Sequence, residues 1–266
     1  MEEKFHFKKS LGQNFLRDQN VIHKIVESAQ IDKDTLVIEI GPGGGALTEL
    51  IVPLAGQVLL YEADQRLEGH LNDLLKKYDN YQIIIGDFLK ADLISDLSQY
   101  SYKKVYVVAN LPYYITTPII MKFVENRVLP DKMIIMVQKE VASRLSAMVG
   151  SRDYGSFTVF LNYYYDIKKL FDVGRNCFIP SPNVDSAVVE FRLKNNRLEV
   201  KDMDLFTNLV RDSFSYKRKT IRNNLKKYDL NIIEKVLEKH GFDLTVRAEN
   251  LNLEIFVEMA NELVHD

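Results

Sequence analysis

Short apolar runs alternate with helical patterns between about Leu36 and Met136. The strand-like runs are Thr35–Ile40, Gln57–Glu62, Tyr81–Asp87, Lys104–Asn110 and Lys132–Gln138. After the first run, apolar side chains recur at helical spacing at Leu47, Leu50, Ile51 and Leu54. Near-continuous apolar strands separated by helices are typical of a parallel sheet that helices cover on both faces. The pattern therefore predicts an α/β fold.

The pattern changes in the second half of the chain. Two further β-like runs, Phe157–Tyr164 and Val184–Leu193, have no helix-length pattern between them and predict an antiparallel hairpin on the sheet edge. From Met203 to Asp266 the pattern is helical throughout and proline is absent. Because the composition changes near Lys194–Arg197, the sequence predicts an α/β domain over residues 1–195 and a small helical domain over 196–266.

Composition narrows the class of protein. The chain has 266 residues, of which 46% are hydrophobic, so it can bury a substantial core. A single cysteine excludes a disulfide scaffold and suits a reducing cytoplasm, and no apolar run approaches the ~18 residues of a membrane span. The five histidines are scattered without ligand spacing, so no metal site is predicted. We expect a soluble cytoplasmic protein.

A glycine-rich turn follows the first strand-like run. It reads Glu-Ile-Gly-Pro-Gly-Gly-Gly over residues 39–45, and Glu62 ends the next strand about twenty residues later. Glycines let the backbone turn tightly beside the positive end of a helix, and an acidic residue at this distance meets ribose hydroxyls. The pair predicts a nucleoside cofactor at the carboxyl edge of the sheet. Because Gly41-x-Gly43-x-x-Ala46 also fits the dinucleotide fingerprint, NAD and S-adenosylmethionine both stay open at this point.

The motif Asn110-Leu111-Pro112-Tyr113 follows the fourth strand and favours methyl transfer to an adenine amine. The lone pair of that amine is delocalised into the ring. Two acceptors, the Asn110 side-chain oxygen and the Leu111 carbonyl, would localise it toward a methyl donor. Pro112 fixes the backbone and Tyr113 offers a flat surface for an extruded base. Such a reaction needs neither a metal nor a strong general base.

These and other motifs resemble the ribosomal RNA adenine dimethyltransferases, specifically the bacterial small-subunit enzymes linked to kasugamycin sensitivity. The matching segments run in one order from Ser10 to about Phe256 and comprise residues 10–16, 39–45, 86–88, 110–113, 153–155, 177–186, 218–225 and 247–251. The resemblance implies a Rossmann-like class I fold with a mainly parallel seven-stranded sheet and a small all-helical C-terminal domain.

The resemblance also implies site residues. S-adenosylmethionine would be held by Asn14, Leu16, Gly41, Gly43, Glu62, Asp87, Phe88 and Asn110, and the catalytic set would be Asn110, Leu111, Pro112, Tyr113 and Phe178. Phe178 would stack on the flipped adenine opposite Tyr113. Two positions depart from the family pattern: Gly44 stands where a larger residue is usual, and Tyr114 where asparagine is common.

The charge distribution changes the picture given by the net charge of −2. Residues 211–227 carry seven basic side chains and one acidic, whereas residues 228–266 carry three basic and nine acidic. The sequence therefore predicts a basic helix that contacts RNA phosphates through Lys217, Arg218, Lys219, Arg222 and Lys226. Lys4, Lys8 and Lys9 would add a second basic patch.

By resemblance, the chain transfers methyl groups to the 6-amino groups of two adjacent adenines near the 3′ end of 16S rRNA. The expected partner is the assembling 30S subunit, with no membrane, and the expected state is a monomer. Three alternatives stay open: a macrolide-resistance methyltransferase that modifies a large-subunit adenine, an NAD-dependent dehydrogenase, and an assembly factor that has lost catalysis.

Overall fold

The structure is a computed structural model that describes residues 14–264. The chain forms two compact units. Unit 1 comprises residues 14–142 and 168–193, and unit 2 comprises residues 143–167 and 194–264. The structure thus groups residues 143–167 with the C-terminal segment. The division into domains at residue 195 stays a prediction.

Nine strands occur among the described residues. They are β1 (Phe15–Leu16), β2 (Thr35–Ile40), β3 (Gln57–Glu62), β4 (Tyr81–Ile85), β5 (Lys104–Asn110), β6 (Lys132–Gln138), β7 (Tyr165–Val173), β8 (Phe178–Ile179) and β9 (Ser186–Leu193). Strands β1 and β8 form a two-stranded antiparallel sheet, and the other seven form one sheet in the order β4-β3-β2-β5-β6-β9-β7. The strands from β4 to β6 are parallel and β9 runs antiparallel to β6, which confirms the predicted mainly parallel seven-stranded sheet.

Eleven α-helices connect or follow these strands in the described chain. They are α1 (Gln19–Ala29), α2 (Thr48–Ile51), α3 (Glu68–Leu75), α4 (Leu93–Ser98), α5 (Thr116–Glu125), α6 (Lys139–Leu145), α7 (Ser156–Tyr164), α8 (Met203–Ser213), α9 (Ile221–Asn224), α10 (Leu230–Lys239) and α11 (Leu253–Glu262). Among residues 14–264, no helix is long and apolar enough to cross a membrane.

The strand order creates a switch point between β2 and β5. From β2 the chain adds β3 and then β4 on one side, and then returns to build β5 and β6 on the other. All six residues of β2 are buried, as the continuous apolar pattern predicts for a central parallel strand. In open parallel sheets, ligands bind beyond the carboxyl ends of the strands at such a point, because the helices that follow diverge to opposite faces.

One predicted strand is wrong. Residues Phe157–Tyr164 lie in helix α7, and the strand beside β9 is β7. The run SFTVFLNYY is rich in β-branched and aromatic side chains, which suggested a strand, but Val159 and Tyr163 pack one helical turn apart into the core of unit 2. Tertiary packing here overrides the local β propensity. Strand β9 consequently lies inside the sheet, between β6 and β7, and β7 forms the edge.

Unit 2 is helical after residue 203, as predicted. Its helices α8, α10 and α11 are capped at their N-termini by Asp202, Asp229 and Asn252, whose side chains accept hydrogen bonds from backbone N–H groups of the first turn. The apolar faces of these helices pack around fully buried residues such as Phe206 and Phe256. This core belongs to unit 2 alone and is distinct from the core around the sheet.

Candidate active site

A cavity of about 550 Å³ lies at the carboxyl ends of β2, β3, β4 and β5, all within unit 1. Its lining consists of residues 14–16, 39–44, 46–47, 61–63, 86–89 and 110–115. This volume falls within the range of roughly 300–1,000 Å³ that small-molecule and cofactor sites occupy. The cavity brings together every predicted cofactor-binding residue and the motif from Asn110 to Tyr113.

The glycine turn forms one wall of the cavity. Gly41 and Gly43 have φ angles of 68° and 57°, a region that side chains with a Cβ atom rarely adopt. A Cβ built on Gly43 would lie 2.8 Å from Cε1 of Phe15, whereas one on Gly41 meets nothing within 4 Å. Glycine is therefore required at both positions by the backbone, and at Gly43 also by the close approach of the Phe15 ring.

Glu62 ties this turn to the end of β3. The carboxylate is buried, and its two oxygens accept hydrogen bonds from the N–H groups of Gly43 (3.0 Å) and Asp64 (2.8 Å). Burial raises the pKa of Glu62, while these backbone hydrogen bonds act in the opposite direction. Because each carboxylate oxygen has a second lone pair, both can still accept a bond from a ligand hydroxyl.

Glu39 is a second buried carboxyl group in the cavity lining, and the sequence reasoning gave it no role. It is the penultimate residue of β2, and its Oε2 accepts a hydrogen bond of 2.7 Å from the Thr48 hydroxyl. Burial raises the pKa of Glu39 to about 8; the Thr48 bond lowers it and the charge of Glu62 raises it further. In the absence of a ligand the group is thus mostly protonated at pH 7.

Asp87 and Phe88 follow β4 and line the same cavity as the glycine turn. Oδ1 of Asp87 accepts a hydrogen bond from the N–H of Leu89 (3.0 Å) and so begins the short 3₁₀ turn Phe88–Lys90. The Phe88 ring is buried and meets Tyr61 edge-on, with ring centroids 5.0 Å apart. This aromatic contact fixes the loop that presents the Asp87 carboxylate.

Asn110 is held by the N-terminal segment. Its Nδ2 donates a hydrogen bond of 3.0 Å to the carbonyl of Asn14, and this assigns the amide so that Oδ1 is left as an acceptor. Asn14 precedes β1, which pairs antiparallel with β8 through Leu16 and Phe178. The pairing therefore fixes Asn14 and Leu16 at the cavity, where the sequence predicted them; residues 10–13 of the same motif lie outside the described residues.

The residues after Asn110 form a rigid turn. Leu111 is buried and its N–H donates to the carbonyl of Met136 (3.1 Å). Pro112 has φ of −58°, and its carbonyl accepts a hydrogen bond from the N–H of Ile115 (3.2 Å). Within residues 14–264, no donor reaches the Leu111 carbonyl or Asn110 Oδ1. The turn therefore holds two acceptors available at the end of β5.

The Tyr113 ring is held at its hydroxyl end. The hydroxyl is hydrogen-bonded to the hydroxyl of Ser186, a fully buried residue at the start of β9. Burial raises the pKa of Tyr113, and the Ser186 bond opposes that shift. The phenol is thus neutral at physiological pH, and its ring is a fixed apolar surface rather than an acid or base.

Phe178 lies outside this cavity lining. Its side chain is only 3% exposed and packs in the core cluster with residues such as Ile22 and Val188. Its backbone pairs with Leu16, which does line the cavity. The stacking role that the resemblance implies for Phe178 stays a prediction.

The basic residues of unit 2 do not share one helix, so that part of the prediction is wrong. Lys217, Arg218 and Lys219 lie in the turn between α8 and α9, only Arg222 is helical, and Lys226 follows α9. The helix is interrupted because Asn224 Nδ2 donates to the Ser213 carbonyl (2.6 Å) and the Ile221 N–H donates to the Val246 carbonyl (2.8 Å). All five basic side chains are nevertheless exposed.

Within residues 14–264, no group of three His, Cys, Asp or Glu side chains is arranged to hold a metal ion. The catalytic candidates at the cavity are instead hydrogen-bond acceptors and aromatic rings. An open parallel sheet, a glycine turn with a buried acidic partner and an acceptor turn after β5 together define a class I methyltransferase that uses S-adenosyl-L-methionine.

Comparison with known proteins identifies the family. The model of the ribosomal RNA adenine dimethylase family matches residues 4–265, and the chain belongs to this family. The chain is 46% identical to the ribosomal RNA small subunit methyltransferase A of Macrococcus caseolyticus over 269 residues (97% of this chain, 90% of the relative). It is also 46% identical to the protein of that name from a Geobacillus species over 270 residues (98% and 93%).

Solved structures agree with this assignment. A dimethyladenosine transferase from Plasmodium falciparum superposes with a TM-score of 0.79 at 29% identity, covering 92% of this chain and 95% of that one. The 23S rRNA methyltransferase ErmE superposes with a TM-score of 0.77 at 27% identity, covering 94% and 99%. The predicted family, the methyltransferase class and S-adenosyl-L-methionine as cofactor are thereby confirmed.

The cavity fits this cofactor. At Gly41 the space that a Cβ would occupy is open, so a ligand can approach the backbone closely. The buried Glu62 carboxylate and the Asp87 carboxylate both line this cavity and supply acceptors for hydroxyl and amino groups. Burial raises the pKa of Glu39, and a positively charged ligand beside it would favour the ionised carboxylate.

Proposed function

We propose that the enzyme dimethylates the 6-amino groups of two adjacent adenines near the 3′ end of 16S rRNA, with a role in assembly of the small ribosomal subunit. The observation that carries this proposal is the 46% identity, over 97% of the chain, to a protein described as a small-subunit methyltransferase. The 23S rRNA methyltransferase ErmE shares the fold but is only 27% identical.

The roles that we assign at the site combine what the family resemblance implies with the hydrogen-bonding groups that the cavity presents. S-adenosyl-L-methionine supplies a methyl group activated by a positively charged sulfur. Glu62 accepts bonds from ribose hydroxyls, and Asp87 accepts one from the adenine amino group of the cofactor. The segments around Leu16, Gly41, Gly43 and Phe88 form the apolar and backbone walls that enclose it, and Asn14 acts through its bond to Asn110.

The chain's own acceptors prepare the target amine. Asn110 Oδ1 and the Leu111 carbonyl each accept one N–H of the amine, which localises the nitrogen lone pair away from the ring. Pro112 fixes the carbonyl direction, and the turn it begins is closed by the Ile115 hydrogen bond. Because the turn is already formed, the acceptors need no reorganisation when the base arrives.

Tyr113 provides the face on which the extruded adenine stacks. Its ring orientation is set by the hydroxyl bond to Ser186, so that the base plane is fixed relative to Asn110. The resemblance assigns Phe178 to the opposite face of the base. Since that residue is 3% exposed here, stacking on both faces of the base requires the Phe178 ring to become exposed first.

For RNA binding we propose the exposed basic residues of unit 2, namely Lys217, Arg218, Lys219, Arg222 and Lys226. Arg222 projects from α9 and the others from the flanking segments, which are held by hydrogen bonds such as the one from Lys217 Nζ to the Arg152 carbonyl (2.6 Å). Exposed cations on a rigid frame suit contacts with phosphates. We further propose a monomer that acts in the cytoplasm, where small subunits assemble.

The test is to map the modified adenines. Small and large ribosomal subunits from a strain without either modification are incubated with the enzyme, and primer extension locates stops at dimethylated adenines. Stops at two adjacent adenines near the 3′ end of 16S rRNA are expected. Modification of a 23S rRNA adenine alone would overturn the proposal in favour of the macrolide-resistance activity, which the ErmE likeness makes the second candidate.

A further inference from the structure

Tyr114 is an exposed aromatic residue beside the catalytic motif that the functions assigned above do not use. It is 61% exposed, whereas its neighbour Tyr113 is half-buried, and it lines the same cavity. Within residues 14–264, its ring and hydroxyl take part in no hydrogen bond, ring contact or cation–π contact. A large apolar ring is thus presented to solvent at the cavity.

The backbone beneath Tyr114 is rigid. The residue is the middle of the 3₁₀ turn Tyr113–Ile115, which the bond between the Pro112 carbonyl and the Ile115 N–H closes at 3.2 Å. The hydroxyl of Thr116 also bonds to the Pro112 carbonyl, at 3.3 Å. The backbone that carries the Tyr114 ring is therefore fixed next to the acceptors for the target amine. Little further ordering of this backbone is needed when the ring binds a ligand.

Extrusion of the target adenine from the RNA leaves a neighbouring base without a stacking partner beside the cavity. An adenine that enters the cavity leaves its stack, and the base next to it in the strand loses one stacking partner. An exposed aromatic ring beside the cavity can replace that partner, since base–aromatic stacking is tolerant of sequence. We propose that Tyr114 stacks on the base adjacent to the target adenine and thereby positions the RNA strand. That this base is the second methylated adenine rests on the proposed function.

The proposal makes Tyr114 a positioning residue that acts through its π face. The hydroxyl has no partner among the described residues, so phenylalanine should serve equally well, whereas alanine should not. A matched control is Tyr102, which is 40% exposed and precedes β5 at the amino end of the sheet, away from the cavity.

The experiment compares wild type with Tyr114→Ala, Tyr114→Phe and Tyr102→Ala on the ribosomal subunit that wild type modifies. Tyr114→Ala should raise KM for the subunit about 5- to 150-fold, the equivalent of losing one stacked base. Its kcat and its affinity for S-adenosyl-L-methionine by calorimetry should stay within about twofold, because stacking on a neighbour is uniform binding. Tyr114→Phe and Tyr102→Ala should match wild type. The thermal unfolding midpoint of Tyr114→Ala should also be unchanged.

A second arm removes the base instead of the ring. Subunits are reconstituted with an abasic nucleotide beside the target adenine, and KM for wild type and Tyr114→Ala should then be equal. Loss of cofactor affinity in Tyr114→Ala, a Tyr114→Phe variant as weak as Tyr114→Ala, or a persistent difference on the abasic substrate would overturn the proposal. Wild type that modifies only large subunits would refute the proposed function, while the same comparison on that substrate still decides the role of Tyr114.

Discussion

Replacement of Glu39 by glutamine should make the stability of the cofactor-free enzyme less dependent on pH. The Glu39 carboxyl is 2% exposed, and its pKa is raised to about 8 from an ordinary value of 4.5, chiefly by burial. Glutamine has the same shape and no charge, and its side-chain oxygen can still accept the hydrogen bond that the Thr48 hydroxyl gives at 2.7 Å. The substitution therefore removes ionisation and little else.

Proton linkage sets the sign and size of the pH dependence that Glu39 gives to stability. Between pH 4.5 and about 8 the folded state holds a proton on Glu39 that the unfolded state has lost, so folding is favoured at low pH and this contribution is lost as pH rises toward 8. One pH unit corresponds to about 1.4 kcal/mol. As pH rises from 4.5 to about 8, the contribution of Glu39 to the free energy of unfolding should therefore fall by on the order of 5 kcal/mol.

Urea unfolding at pH 5, 6, 7 and 8 measures this effect. The stability of wild type relative to Glu39→Gln should fall by roughly 3 kcal/mol or more between pH 5 and pH 8. Glu49→Gln, which makes the same change at an exposed site on α2, is the control and should follow wild type. A Glu39→Gln variant that parallels wild type across this range would refute the assignment of a protonated carboxyl at the cavity.

Three further predictions concern catalysis, the glycine turn and RNA binding. Asn110→Ala should lower kcat for methyl transfer at least about 100-fold with little loss of fold, as measured by a radiolabelled methyl assay and thermal unfolding. Gly43→Ala should lower the melting temperature by about 2–8 °C, because alanine is strained at φ of 57° and meets Phe15, whereas Gly44→Ala meets nothing within 4 Å and should not. Alanine at all three basic positions 217–219 should reduce the magnitude of the slope of log K for RNA binding against log salt concentration by about 2.

Each of these has a contradicting result. An Asn110→Ala variant with near-normal kcat would remove Asn110 from the chemistry. Equal melting temperatures for Gly43→Ala and Gly44→Ala would show that the turn tolerates a side chain at Gly43. An unchanged salt slope in the triple variant would mean that this turn makes no phosphate contacts.

The sheet could be predicted closely because its signal is local. The apolar runs Thr35–Ile40, Gln57–Glu62, Lys104–Asn110 and Lys132–Gln138 coincide with β2, β3, β5 and β6. Parallel strands covered on both faces must be apolar along their length, so the ends of each apolar run mark the ends of a strand. The carboxyl ends of these strands share one edge, and the cavity residues after them could be named for the same reason.

The errors arose where distant contacts decide the local structure. Helix α7 is a helix because Val159 and Tyr163 face the core of unit 2, which no pattern within residues 157–164 reveals. The basic segment is divided because the Ile221 N–H bonds to Val246, which is far away in sequence, and the Asn224 side chain bonds back to Ser213 at the end of α8. Phe15 and Glu39 were not predicted to line the cavity. An apolar residue beside a motif and a carboxyl group inside a strand are equally compatible with the protein core.

The turn from Asn110 to Tyr113 is expected to hold each of two adenine amines of the small subunit while it receives two methyl groups from S-adenosyl-L-methionine. Mass spectrometry of nucleosides and of ribonuclease fragments from subunits treated with enzyme and S-adenosyl-L-methionine tests it most directly. Two N6,N6-dimethyladenosines per subunit are expected, adjacent near the 3′ end of 16S rRNA, and none with Asn110→Ala. Treated small subunits without dimethyladenosine, or with methyl groups on atoms other than the adenine 6-amino nitrogen, would contradict it.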